Sequence, residues 1–179
     1  MKVRAYVLIV SAALLGISAG SKKAALTEGV NPGDLAPSIE FLGDGSQSIR
    51  FQNPSGRYTL VNFWAAYDAE SRARNVLLAN KVAKMGSDKI QLCAISLDER
   101  ESIFSETVRI DRLDKAHQYH MAAEAAARVS GKYHLGEGLR NFLIDDKGVI
   151  IATNVSADQL ERSFMEYKKN SRLVRLFLL

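Results

Sequence analysis

Asp68, Glu70 and Ser71 stand within four residues of one another, directly after a run of aromatic and β-branched residues. Acids beside a hydroxyl could supply a general base or a nucleophile, but Ser71 would need an adjacent base oriented by a third group. The three histidines, His117, His120 and His134, come much later in the chain. His117 and His120 invite a metal-ligand reading, yet an HExxH pattern is absent and the surrounding segment is polar, so they read as surface histidines. Cys93 is the single cysteine and lies inside KIQLCAISL, between Leu92 and Ala94. A thiol in apolar surroundings is inert, whereas a reactive one needs exposure and positive neighbours. One cysteine excludes an intrachain disulfide, a CxxC redox pair and a four-cysteine zinc site. No metal-ligand set and no cofactor site are read from the residues.

The elements that must position these groups follow from periodicity. Tyr58 to Trp64 (YTLVNFW) and Lys89 to Leu97 read as buried strands. Ala73, Val76, Leu77, Val82 and Met85 mark one face of a helix that starts near Asp68 and closes at Gly86. Asp68 is well suited to cap that helix, because a short acidic side chain can accept the orphan N–H groups and its charge suits the positive end of the dipole. Arg100 to Tyr119 is polar and carries no assigned element. Met121 to Val129 reads as a helix stopping at Ser130-Gly131. Phe142–Asp145 and Val149–Asn154 read as a hairpin around Asp146-Lys147-Gly148, and Ser156 with Gln159 forms a capping box for a last helix. Ile49 to Gln52 suggests a short edge strand. The alternation predicts an α/β fold with a central mixed sheet flanked by helices on both faces.

The 179 residues are 47% hydrophobic and 25% charged, which fits one globular domain with appendages and excludes wholesale disorder. Residues 1–20 show the order of a secretory signal peptide: Lys2 and Arg4, an apolar run from Ala5 to Ile17, then Ser18-Ala19-Gly20. Ser21 follows where a lipid-anchored protein would need a cysteine. The 24 basic residues less Lys2 and Arg4 leave 22 against 20 acidic, a balance that gives no nucleic-acid footprint. Residues 21–37 read as a linker, 38–167 as the domain, and 168–179 (KKNSRLVRLFLL) as an apolar tail. The tail suits docking on its own domain, a dimer or partner contact, or a membrane surface.

Against this pattern the sequence resembles the thioredoxin-like superfamily, in its TlpA/ResA envelope branch related to the AhpC/TSA peroxiredoxins. Gly33-Asp34-Leu35-Ala36-Pro37 resembles the family's GxxAPxF. Tyr58 to Arg72 resembles vllNFWAsWCxxCr, Ile90 to Asp98 resembles vvgvslD, and Lys132 to Asp145 resembles kYgvxglPttFLID without a gap. Laid onto the CxxC are Asp68, Ala69, Glu70 and Ser71, and the family's cis-proline falls at Leu139. A cis bond before a non-proline costs about 2.5–4 kcal/mol, so the Gly138–Leu139 peptide is expected to be trans.

The resemblance implies a thioredoxin-like fold whose redox site is degenerate at Asp68, Ser71 and Leu139, with no catalytic residue. Disulfide exchange needs a thiolate, and reductase turnover needs a second thiol. The expected function is therefore binding, of a protein or peptide partner in a bacterial periplasm or cell envelope. The candidate groove comprises Trp64, Tyr67, Asp68, Glu70, Leu139 and Arg140, with core packing an equal reading for Trp64. The alternative is a thiol-disulfide oxidoreductase or peroxidase using Cys93 alone. Contact with membrane is expected only through an uncleaved signal segment or the tail, and a homodimer is a further expectation.

Overall fold

A computed structural model describes residues 26–41 and 48–177, with side chains described to residue 170. The expected signal peptide and the apolar side chains of the tail lie outside the described residues.

Two short strands, β1 (Ile39–Glu40) and β2 (Ser48–Ile49), pair antiparallel. The main sheet contains β3 (Tyr58–Trp64), β4 (Ile90–Ser96), β5 (Gln118–His120), β6 (Asn141–Ile144) and β7 (Ile150–Thr153), in the order β5-β4-β3-β6-β7. β3, β4 and β5 are parallel, while β6 and β7 run antiparallel to their neighbours, so the sheet is mixed. The helices are α1 (Ala69–Met85), α2 (Glu101–Ile110), α3 (Ala123–Lys132) and α4 (Ala157–Phe177).

Successive residues of a strand face opposite sides, and the core divides accordingly. Val61 and Phe63 join Cys93, Ile95 and Val129 of α3 on one face. Leu60 and Trp64 join Leu78 of α1, Phe104 of α2 and Phe164 of α4 on the other. Helices therefore cover both faces, which is why every residue of β3 is buried and its sequence shows no polar alternation.

Several expectations from sequence need correction. The buried face of α1 is Ser71, Asn75, Leu78, Val82 and Met85, while Ala73 and Leu77 are exposed. The apolar positions mislead because polar groups face inward: Asn62 of β3 donates to Asn75 (3.0 Å), and Asn75 donates to Gln118 of β5 (3.0 Å). The stretch from Arg100 to Tyr119 contains α2, whose buried Phe104, Thr107 and Val108 follow helical spacing. Helix α3 starts two residues later than expected and continues through Ser130-Gly131 to Lys132, since tertiary packing of Val129 and Tyr133 outweighs the local glycine cost. The tail does not begin as a separate element at residue 168, because α4 runs on to Phe177. The capping box is present, with Ser156 Oγ accepting from Gln159 N (3.3 Å) and Gln159 Oε1 accepting from Ser156 N (3.3 Å).

The latter half of the presumed linker is docked. Gly33 N donates to Ile150 O (2.8 Å), Ile150 N to Asp34 O (2.9 Å), and Ala36 N to Gly148 O (2.9 Å). These bonds cover the start of the outer edge of β7, at Ile150, which would otherwise present unpaired backbone. Pro37 is fixed on the α3 face of the sheet, where its carbonyl accepts from the buried Tyr133 hydroxyl at 2.5 Å.

The three-amide chain predicts a specific cost. Asn75→Ala strands Asn62 Nδ2 and Gln118 Oε1, and each stranded buried group costs about 1–3 kcal/mol. Urea unfolding should register that loss; a change below about 0.5 kcal/mol would show that the chain does not bind β3, α1 and β5 together.

Candidate functional site

The site forms where β3 and β4 end and α1 begins. β3 delivers the chain to Ala65, and a short turn closes with Asp68 N donating to Ala65 O (3.2 Å). Asp68 then caps α1: its Oδ1 accepts from Ser71 N at 2.9 Å, in an extended backbone conformation suited to a cap. Ser71 is buried, with its hydroxyl donating to Asp68 O (3.2 Å) and accepting from Ala65 N (3.2 Å). Both the acid and the hydroxyl are thus occupied in holding the turn. No base lies against Ser71 in these bonds, so the nucleophile geometry is missing.

The turn is fastened from beneath by Asp98, which is only 2% exposed. Its carboxylate accepts from Ala66 N (2.9 and 3.1 Å) and from Ser96 Oγ (2.7 Å). Sequence reasoning passed over Asp98 as the end of a strand; its place in the resembling strand motif was the available signal. His120 Nε2 lies 2.8 Å from Asp98 O, and its ring packs on Phe104. His117 instead sits near Asp114 (3.9 Å), and His134 is exposed after α3, in a left-handed conformation. Among the described residues no group of three or more His, Cys, Asp or Glu could hold a metal ion. Arg72, also overlooked, pairs with Asp111 of the α2 terminus at 2.6 and 2.8 Å. That hydrogen bond holds its guanidinium more firmly protonated than usual, and the Asp98 charge adds to the effect.

Facing the α1 terminus is the loop 137–140. All peptides of the described residues are trans, Gly138–Leu139 included. Gly138 has φ 133° and ψ 154°, a conformation essentially restricted to glycine. Arg74 crosses from α1 and donates through Nη2 to Leu139 O at 2.5 Å. Between the two walls lies a cleft of about 890 Å3 lined by Asp68, Glu70, Arg74, Leu77, Leu139 and Arg140 among others. This volume is in the range of ligand sites.

Of the expected groove, Asp68, Glu70, Leu139 and Arg140 line the cleft, and Ser71 lies at its base. Trp64 does not: it is 0% exposed and packs in the core near Phe104, a correction that follows from the position of β3 between two covered faces. Tyr67 is 75% exposed beside the α1 cap but is not among the residues lining the cleft. Arg74 is a lining residue that the sequence did not single out, and Leu77 is one that it assigned to the helix's apolar face rather than to the groove. Cys93 is buried on the opposite face of the sheet from α1, and burial pushes its thiol up to about 12.

No family model and no curated protein matches the chain. Among solved structures it is similar to a thioredoxin-like protein from Parabacteroides distasonis, with 57% identity over 79% of this chain and 99% of that one, at a TM-score of 0.72. The thioredoxin domain of a thiol-disulfide oxidoreductase from Bacteroides vulgatus shares 21% identity over 76% and 97% of the two chains, with a TM-score of 0.64. A thiol:disulfide interchange protein from a Bacteroides species shares 22% over 80% and 90%, at 0.61. The latter two likenesses concern the fold.

Three measurements test this geometry. Asp68→Ala should lower stability by about 0.5–2 kcal/mol while Asp68→Asn retains most of it, because either side chain oxygen can cap; equal losses would refute the cap. Cys93 should react with a thiol reagent only on unfolding. Its folded pKa lies above the ordinary 9.0, so its contribution to stability is complete below 9.0 and is lost as pH rises toward about 12. Alkaline unfolding of Cys93→Ala should therefore show a shallower decline, by up to about 1.4 kcal/mol per pH unit.

Proposed function

The chain belongs to the thioredoxin-like proteins, and from that premise we propose that it is an exported, redox-inactive member that binds a polypeptide in the cleft between α1 and the loop 137–140. The observation that carries the reading is the occupant of the α1 head. Where an exchange enzyme needs a thiolate, Asp68 caps the helix and Ser71 is buried in the same turn. The cleft beside that turn stays open, with the apolar Leu77 and Leu139 available to a ligand. Leu77 is 60% exposed on the wall of the cleft.

The alternative, a one-cysteine oxidoreductase or peroxidase, would need Cys93 to reach solvent as a thiolate. Its burial in the sheet and the raised pKa argue against that. Export is supported by the charged, apolar and small-residue order of residues 1–20. Among the described residues no helix is long and apolar enough to cross a membrane.

The test is affinity capture from a cell-envelope extract with the processed protein as bait, alongside a disulfide-reductase assay. Wild type should retain a polypeptide partner that Leu77→Asn with Leu139→Asn loses by about tenfold, and neither protein should reduce disulfides. Unchanged capture by the double variant would move the binding surface elsewhere. Reductase activity that disappears in Cys93→Ser would restore the enzyme.

A further inference from the structure

The charged groups of the cleft fall into two classes. Arg74 and Arg140 are held: their side chains are 20% and 26% exposed, and Arg74 is anchored on Leu139 O. Their acidic partners reach into solvent. Glu70, paired with Arg74 at a loose 3.7 Å, is 90% exposed, and Glu137, which accepts a hydrogen bond from Arg140 Nη2, is 79% exposed. Arg74 Nε is buried without a hydrogen-bond partner, so its guanidinium is not fully satisfied by this arrangement. The remaining acid, Asp68, is engaged in capping α1.

The backbone adds to the imbalance. α1 and α4 both begin at the cleft, which is lined by Asp68, Glu70 and Ser71 from one and by Ser156 and Ala157 from the other. Each helix start carries a partial positive charge that favours anions within its first turn. The fixed groups of the cleft are therefore positive on balance. The groups that neutralise them are two solvated glutamates at the rim, and such exposed pairs contribute little to stability.

We infer that the cleft is built for an acidic polypeptide segment, and that Glu70 and Glu137 hold the seats its carboxylates take. This rests on the cleft being the binding surface proposed above. An incoming segment lays apolar side chains on Leu77 and Leu139 and brings carboxylates to Arg74 and Arg140. The displaced glutamates move into water at small cost because they are already mostly solvated. Arg74 and Arg140 are thus specificity-determining residues, and the rim glutamates compete with the ligand. The last point gives the arrangement an unusual signature, since removing two of the cleft's own ion-pairing residues strengthens binding.

Three pools of random octapeptides, each with two fixed positions carrying Glu, Gln or Lys, are passed over the immobilised processed protein. The Glu pool should be retained at least about threefold over the Gln pool, and the Lys pool least, with retention of the Glu pool falling as salt is raised. Glu70→Gln with Glu137→Gln should increase retention of the Glu pool severalfold; both positions are exposed, so folding is not at stake. Arg74→Gln and Arg140→Gln, each verified as folded by urea titration, should abolish the preference for Glu. Equal or better retention of the Gln or Lys pool, or no gain from the double glutamine variant, overturns the acidic preference while leaving the cleft as a binding surface. Retention of any pool that is unchanged by the charge-neutral Leu77→Asn with Leu139→Asn, or no retention at all, overturns the cleft reading itself.

Discussion

The buried carboxylate of Asp98 is the constraint on which the site depends. It sits past the end of β4, yet it takes the Ala66 amide that follows β3 and the hydroxyl of Ser96. Two neighbouring parallel strands are thereby joined just beyond their last paired residues, Trp64 and Ser96. Burying a carboxylate is costly unless its oxygens are hydrogen-bonded, and here each oxygen has a donor. With the turn fixed, Asp68 arrives at the head of α1 in capping geometry, and the direction of α1 follows. Arg74 can then reach Leu139 O from the helix's second turn. The cleft is a consequence of that chain of contacts.

The same framework explains how an acid and a hydroxyl are held at the head of α1. In this family's pattern the helix head stabilises a thiolate, because unsatisfied N–H groups and the dipole favour negative charge. A carboxylate at Asp68 meets the same preference and caps the helix as well. Leu139 stands where the family's pattern has proline; its peptide is trans, and its carbonyl is engaged by Arg74 from across the cleft. The remaining thiol contributes only as a small apolar group, packed with Val61 and Val129 on the far face of the sheet. Asp68 and Ser71 hold the turn at the head of α1, the Leu139 carbonyl holds Arg74, and the cleft between the two walls stays open.

The sheet was readable because β3 and β4 are covered on both faces and so appear as mainly apolar runs without polar alternation. The hairpin and the capping box were readable because their signals are local. Helix α1 was located correctly, but its inward face was misjudged, since Asn75 is buried by partners from β3 and β5 that lie 13 and 43 residues away in sequence. Helix α2 was hidden by its charged exterior, although Phe104 and Val108 carry the spacing of its inner face. Trp64 illustrates the limit of proximity in sequence: three residues from Tyr67, it points into the core while Tyr67 stands in solvent.

Legible in the residues alone were the fold class, the absence of a CxxC pair and of a proline at position 139, and the cap at Asp68. Each is a property of residue type at a position within a local pattern. Which polar groups face inward, the burial of Cys93 and the span of Arg74 from α1 to Leu139 emerged from long-range packing. Those outcomes depend on contacts between segments distant along the chain, whose energies no local pattern records. The division of the cleft's charges into held arginines and solvated glutamates belongs to the same class, because burial is set by packing while charge is set by residue type.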